Sequence, residues 1–489
     1  MVHTTPAKVL LTTTLQPLVV QLSGSLAHGA KLIDEFLHQD PTPQHAATFE
    51  RALHRLLREV GRRIMAWVCN HMEPADAEEM PSRLWWKDQA YRRRRKHRTT
   101  IATLFGPMVV WRRLYEPLAP RARALHPLER CLGIEAGLAT PALAERIGAW
   151  AADHTQRQVL EMLQQDHGVH WSCTTLRKLL GSLSAGMAAQ RQAAQMDQVV
   201  CWLHQARASK GRFQPTLSVG RDGVNVPMHH GDWQEGATAT VTVLDRQGKR
   251  VGTVDLGQMP ESGQPTLTAQ LTALLQGILR HVDSQSLRLV YVSDDGYHPS
   301  HYYHHVLKKM QDPKRPWHTL EWIRIVDYYH ACLYLKQLAE AIFGAGPPAQ
   351  GWAKKMRKSL KTQSNGITRV LQSASALRRQ HGLCGKAADY DRAYAYLHKR
   401  THWMRYRHYR GQRLPIGSGI TEAACKIVFT QRLKRSGMSW TLSGGQVILD
   451  LRVIWLSGVW NEVHVRYLAS KPLPVTQRET GTQRGQQAA

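Results

Sequence analysis

Three acids have the types and settings that metal-assisted chemistry needs. Asp222 follows the apolar segment Leu217 to Gly220 and is itself followed by Gly223. Asp295 closes a second apolar run through Val290 and Val292 and precedes Gly296. Glu422 opens a helical pattern after Leu414, Pro415, Ile416, Gly417, Ser418 and Gly419, with Ser418 as its capping residue. Carboxylates at two strand ends and in one helix turn would form an oxygen-rich set for hard divalent cations. Mg²⁺ or Mn²⁺ in a pair suits phosphodiester cleavage, because one ion activates the attacking oxygen and the other neutralises the leaving one.

Alternatives exist for the middle acid. Neighbouring strand residues face opposite ways, so Asp294 could be the inward one. Asp327 also ends a strand, Ile323 to Val326, and lies three residues before His330. Strand order favours Asp295: its segment is the fourth of the series and would lie beside the first. Asp327 and His330 are then expected just behind the ligands. An isolated Asp-Gly is usually a plain turn; two at strand ends, followed by a glycine-flanked Glu, argue for a site.

The elements that must position these acids follow a change of texture at Gln214. Strand-like segments at Thr216–Gly220, Ala239–Leu244 and Arg250–Leu256 precede a helix near Leu267–Leu279 and strands at Leu287–Val292 and Ile323–Val326. This order predicts an α/β (α+β) ribonuclease-H-like core in two parts, 196–330 and 414–465, interrupted by a helical insertion at 331–413. Tyr390, Tyr394, Tyr396, Trp403, Tyr406 and Tyr409 in the insertion are read as core packing rather than base stacking.

Upstream, the expected organisation is a mainly helical DNA-binding region. A variable segment, 1–45, leads into 46–138. There Leu53, Leu56, Leu57, Val60, Ile64 and Val68 mark an amphipathic helix, and Arg92, Arg93, Arg94, Arg95, Lys96, His97 and Arg98 form a basic run. A hairpin is expected to turn at Gly106 and Pro107. Region 139–195 reads as helix-turn-helix-like, with Ser172 capping a helix that presents Arg177 and Lys178. Past the core, 466–489 is polar and expected to be disordered.

Charge points the same way. Against 37 Asp and Glu stand 65 Lys and Arg, a formal net charge of +28, which favours a polyanionic partner. Phosphate contacts are expected from Arg92, Arg93, Arg94, Arg95, Lys96 and Arg98, from Arg177 and Lys178, and from Lys426, Arg432, Lys434 and Arg435. Lys426 lies four residues after Glu422, on its helix face. The 7 scattered cysteines contain no CxxC, against both a disulfide framework and a zinc knuckle. With no uninterrupted apolar span and no convincing leader, a cytoplasmic protein without a membrane is expected.

The segment Gly417-Ser418-Gly419-Ile420-Thr421-Glu422-Ala423-Ala424-Cys425-Lys426, with Arg432, Leu433, Lys434, Ser436, Gly437, Met438 and Trp440, resembles bacterial Mutator-like insertion-sequence transposases of the ISKra type. Val326-Asp327-Tyr328-Tyr329-His330-Ala331 and Asp294-Asp295-Gly296 resemble further signatures of that family, and the likeness runs from roughly Arg98 to Trp460. It implies a DDE transposase that depends on Mg²⁺ and carries a helical domain ahead of the glutamate. Its substrate would be double-stranded DNA, terminal inverted repeats and target, and it would work as a homo-oligomer in a nucleoid-associated synaptic complex. A non-catalytic DNA-binding regulator and a nuclease without strand transfer share most of these features.

Overall fold

The computed structural model describes residues 15–40, 42–72, 80–86, 88–119, 122–385 and 387–471. Two compact units divide the chain: Met1–Leu183 with Tyr467–Ala489, and Ser184–Arg466. Of the polar tail expected to be disordered at 466–489, residues 472–489 lie outside the described residues, as do residues 1–14 of the 1–45 segment, while the chain is helical through Ala469.

In the first unit, helices α1 (Gln16–Leu37) and α2 (Pro43–His71) pair, and Thr42 caps α2 by accepting from His45 N. Three antiparallel strands follow: β1 (Arg83–Trp86), β2 (Gln89–Thr103) and β3 (Gly106–Pro117). The basic run is therefore part of a sheet rather than a loop. Thr103 pairs with Gly106, so the hairpin turns at Leu104 and Phe105, just ahead of the expected Gly106 and Pro107. Ile101, Met108 and Val110 close a small core with Cys69 of α2.

Short α3 (Pro127–Cys131) precedes α4 (Pro141–Asp153), α5 (Gln156–His167) and α6 (Cys173–Ala208). Thr155 and Gln158 form a capping box on α5, left-handed Gly168 ends it, and Ser172 Oγ accepts from Thr175 N at the start of α6. The helix-break-helix pattern is present. At 36 residues, however, α6 is far longer than a recognition helix and continues into the second unit.

The second unit is mixed α/β, built on a five-stranded mixed sheet. Its strands are β4 (Thr216–Pro227), β5 (Trp233–Leu244), β6 (Arg250–Gln258), β7 (Arg288–Ser293) and β10 (Trp322–Val326), in the order β10-β7-β4-β5-β6. The pairs β4–β5 and β5–β6 are antiparallel; β4–β7 and β7–β10 are parallel. Helix α7 (Pro265–His281) makes the crossover to β7, and α8 (Tyr297–His305) with the small β8–β9 hairpin (Gln311–Asp312, Arg315–Thr319) leads to β10.

On one face, Leu217, Val219, Val241 and Tyr291 pack under Leu271, Leu274 and Ile278 of α7. The other face, through Val290, Val292, Ile325 and Val326, is covered by α9 (Tyr328–Phe343), α10 (Pro347–Thr362), α11 (Gly366–His381), α12 (Ala387–Lys399) and α13 (Tyr406–Gly411). Burial on both faces accounts for the unbroken apolar runs that stood out in the sequence. Tyr390, Tyr396, Tyr406 and Tyr409 are buried in this layer.

The chain returns through α14 (Gly419–Ala424), one π-helical turn (Cys425–Thr430) and α15 (Gln431–Leu433), then closes with α16 (Leu442–Leu456) and α17 (Trp460–Ala469). Asp450, which interrupts the apolar run of α16, pairs with Arg191 at 2.9 Å. No single helix among the described residues is long and apolar enough to cross a membrane.

Candidate active site

Strand register decides which acids meet. Parallel pairing of β4 with β7 ends at Gly220 opposite Val292. Counting two further on each strand, 222 − 220 = 294 − 292, sets Asp222 opposite Asp294. The next residue on β10 past Val326, which pairs Ser293, is Asp327. Asp222 itself does not end its strand: β4 runs on to Pro227 against β5, and Asp222 pairs Thr238.

The expectation that Asp295 is the second ligand is corrected by its surroundings. Asp295 adopts φ +63, which turns it out of the strand's alternation, and it is buried. Its carboxylate is held by Arg324, with Arg400 Nε at 2.6 Å from the other oxygen. Two guanidiniums thus occupy this acid, and a buried charge so compensated is a structural anchor. Asp294, half-buried, is free of such a partner: among the described residues no Lys or Arg forms an ion pair with Asp222, Asp294 or Glu422.

Glu422 reaches this corner because α14 is pressed onto β4. A Cβ at Gly220 would collide with Thr421 Oγ1, so glycine is what permits the approach. Thr421 Oγ1 then hydrogen-bonds Thr240 Oγ1 of β5 at 2.9 Å. One turn on, Cys425 Sγ donates to Asp222 Oδ2 at 3.6 Å. Burial above all, then the nearby charges of Asp294 and Glu422, raise the Asp222 carboxyl from 3.8 to about 6. Cys425, buried against Asp222, is pushed up to about 12 and stays a thiol.

Asp327 is fully buried and accepts from Tyr329 N (2.5 Å), His330 N (2.9 Å), Ser418 N (2.6 Å) and Ser418 Oγ. It caps α9 and holds the Gly-Ser-Gly turn, so its oxygens are fully engaged. Ser418 Oγ also lies 2.8 Å from Glu422 Oε1. Half-buried His330 packs its ring near Tyr334 and Tyr396. Asp327 is linked to Glu422 through Ser418. Sequence reasoning gave no part in the site to Tyr396, whose hydroxyl donates to Asp294 O at 2.6 Å, or to Arg400, which also donates to Asp295 O at 3.2 Å.

Oxygen donors suit a hard divalent cation, and three acids with little local counter-charge suit one that brings positive charge. In this conformation no group of three or more His, Cys, Asp or Glu among the described residues is gathered closely enough to hold a metal ion.

The expected phosphate-binding cations divide. On β2, Arg92, Arg94, Arg95 and Arg98 are exposed, while Arg93 and Lys96 are half-buried. A bulge lies between Arg93 and Lys96, and Arg94 pairs with Glu116 at 2.7 Å. Arg177 and Lys178 are exposed on α6, with Arg177 Nε donating to Gln156 Oε1. Lys426 is exposed. Lys434 sits over the Trp233 ring at 5.2 Å, and Arg435 Nε donates to Gln431 O. Arg432 is the exception: only 1% exposed, with its guanidinium 5.4 Å from the Trp440 ring, it is a core residue and cannot meet DNA. Helical spacing alone could not tell it from its exposed neighbours.

In comparisons with known proteins, no family model matches the chain and no curated protein is similar to it.

Proposed function

We propose that the chain is a DDE-type DNA transposase that binds insertion-sequence ends and performs metal-dependent cleavage and strand transfer, with Asp222, Asp294 and Glu422 as its acids. One observation carries the reading. Asp222, two residues past the last β4–β7 pair but still within β4, falls opposite Asp294, which follows the end of β7, and the helix bearing Glu422 is keyed onto β4 at Gly220. The order β10-β7-β4-β5-β6 sets the first and fourth strands of this unit side by side, as a ribonuclease-H-like sheet would require, and so supports the same assignment.

Asp222, Asp294 and Glu422 would hold Mg²⁺ or Mn²⁺, two ions in the usual arrangement. Bound there, the ions supply activation of the attacking hydroxyl and charge neutralisation at the leaving oxygen. The chain's own contribution is placement. Thr421 and Gly220 fix the helix, Asp327 fixes the turn before it, and Tyr396 holds the Asp294 backbone. Exposed cations on β2, Arg177, Lys178 and Lys426 would provide affinity for the DNA backbone independently of the acids.

The test incubates the full chain with Mg²⁺ and duplexes carrying a candidate element end. A free 3′-hydroxyl at the boundary, joined products with target DNA, and loss of both in Asp222→Ala with DNA binding kept are the expected results. A DNA-binding regulator without catalysis is a second reading, since the exposed cations would serve it equally. Binding with no metal-dependent nicking under any divalent ion would select it. Nicking without joined products would select a nuclease.

A further inference from the structure

At the end of the five-stranded sheet remote from the acids, three chain segments bring cations together around a cleft of about 370 Å³. Arg212 lies between α6 and β4; Arg246 and Lys249 lie in the β5–β6 turn; Arg413 follows α13. Thr216 begins β4 here, six residues before Asp222, so the cleft and the acids are about 20 Å apart along the strand.

The segments are fitted to one another. Gly211 packs on the Arg246 backbone and Gly248 on the Arg413 backbone. Arg246 donates from its Nε to Phe213 O at 3.0 Å and from its backbone amide to Ser209 Oγ at 3.2 Å. The Phe213 ring has the Arg212 guanidinium 4.6 Å from its centroid and that of Arg288 at 5.1 Å.

Counter-charge is missing. No acid lines the cleft, and among the described residues none of Arg212, Arg246, Lys249 and Arg413 forms an ion pair. Asp245, which opens the β5–β6 turn and is not in the cleft lining, accepts from Gln247 N and Lys249 N at 2.8 Å each. Four like charges facing one concavity repel unless an anion enters it. Phosphate relieves that repulsion, and a polymer of phosphates does so with release of its own counterions.

We propose that this cleft grips the phosphodiester backbone of a DNA segment distinct from the one presented to the acids. The proposal rests on the reading of the chain as a DNA-binding protein, not on its catalysis. Arg212 and Lys249, both exposed, make the phosphate contacts, and Arg246 holds the turn in place.

The test measures binding of a labelled duplex to the full chain across a salt series. For R212Q/K249Q, the slope of log affinity against log salt should fall by about 2, at ~0.9 for each phosphate no longer neutralised. An unchanged slope in R212Q/K249Q, with an unaltered melting temperature, overturns the proposal. A photo-crosslinking residue in place of Gln247 gives a readout that needs no charge change. It should label the duplex strand, and its silence with bound duplex overturns the proposal too. Inorganic phosphate binding that R212Q/K249Q abolishes while duplex binding stays intact would assign the cleft to free phosphate instead. Failure of the unaltered chain to bind any duplex would remove the DNA reading and this proposal together.

Discussion

Ser418 gives Asp327 two hydrogen bonds, one from its backbone amide and one from its hydroxyl, and the same hydroxyl lies 2.8 Å from Glu422 Oε1. A hydroxyl has one proton, so the serine couples the two carboxylates and lends a donor to only one at a time. Replacing Asp327 by Ala would leave the amides of Tyr329, His330 and Ser418 unsatisfied in a buried place. The expected loss is about 3 kcal/mol of stability, read from chemical denaturation. D327N, which keeps the shape and an acceptor, should lose less than half of that.

The adjacent aspartates should separate cleanly. D295N leaves Arg324 and Arg400 facing a neutral group and should cost about 3 kcal/mol or more of folding stability. D294N removes a half-buried acid with no cationic partner, so folding should hold while metal-dependent cleavage is lost. Thermal melts paired with a nicking assay check both. Equal melting temperatures for the two variants would contradict the assignment of Asp295 as an anchor.

Close packing at Gly220 gives a reciprocal prediction. G220A should cost about 1–3 kcal/mol, because the new methyl meets the Thr421 side chain. Adding T421G should recover part of it, a coupling that a double-mutant cycle in urea would measure. Without that recovery, the helix would not be seated on this strand as described.

Protonation of Asp222 sets a pH dependence. Burial first, then Asp294 and Glu422, raise this carboxyl from 3.8 to about 6 in the folded chain. The folded state therefore holds the proton more tightly than the unfolded one. The stability it brings is complete below about pH 4 and disappears as pH rises through about 6. D222N should stabilise the metal-free protein at pH 7 by roughly 1–2 kcal/mol, allowing for residual solvent exposure, and by almost nothing at pH 4. Divalent metal must displace the same proton, so metal-dependent activity should fall as pH drops below about 6. Melting curves at both pH values, with and without Mg²⁺, test the sign.

Charge substitutions should distinguish surface from core. R432Q, at a residue that is 1% exposed, should lower stability by about 2 kcal/mol, whereas K426Q should leave stability unchanged and weaken DNA binding. Circular dichroism melts and anisotropy titrations would read the two effects.

What the sequence makes legible here is the sheet. Leu217–Gly220, Val290–Val292 and Ile323–Val326 are apolar because both faces are covered, whereas the Asp222–Gly223 pair, expected at a strand end, lies inside β4. Asp222 is offered by the end of an apolar run, and Glu422 by the Gly-Ser-Gly turn before it. The choice between Asp294 and Asp295 is not legible in this way, because it depends on the β4–β7 register and on a positive φ at 295 that no residue type announces. Alternation by itself offers Asp294, and the Gly220–Val292 pairing sets it opposite Asp222. Arg432 is read from its place among basic neighbours, and charge along the chain carries no sign of burial.

The end of α12 grips the Asp294–Asp295 peptide from both sides, Tyr396 by one carbonyl and Arg400 by the next. The helices threaded between β10 and α14 are therefore more than a decoration that evolution could prune. They act as a jig for the Asp294–Asp295 loop, and in the proposed site a shift of α12 would carry the Asp294 carboxylate with it. A shortened chain joining β10 directly to α14 would keep its strands yet lose its aim.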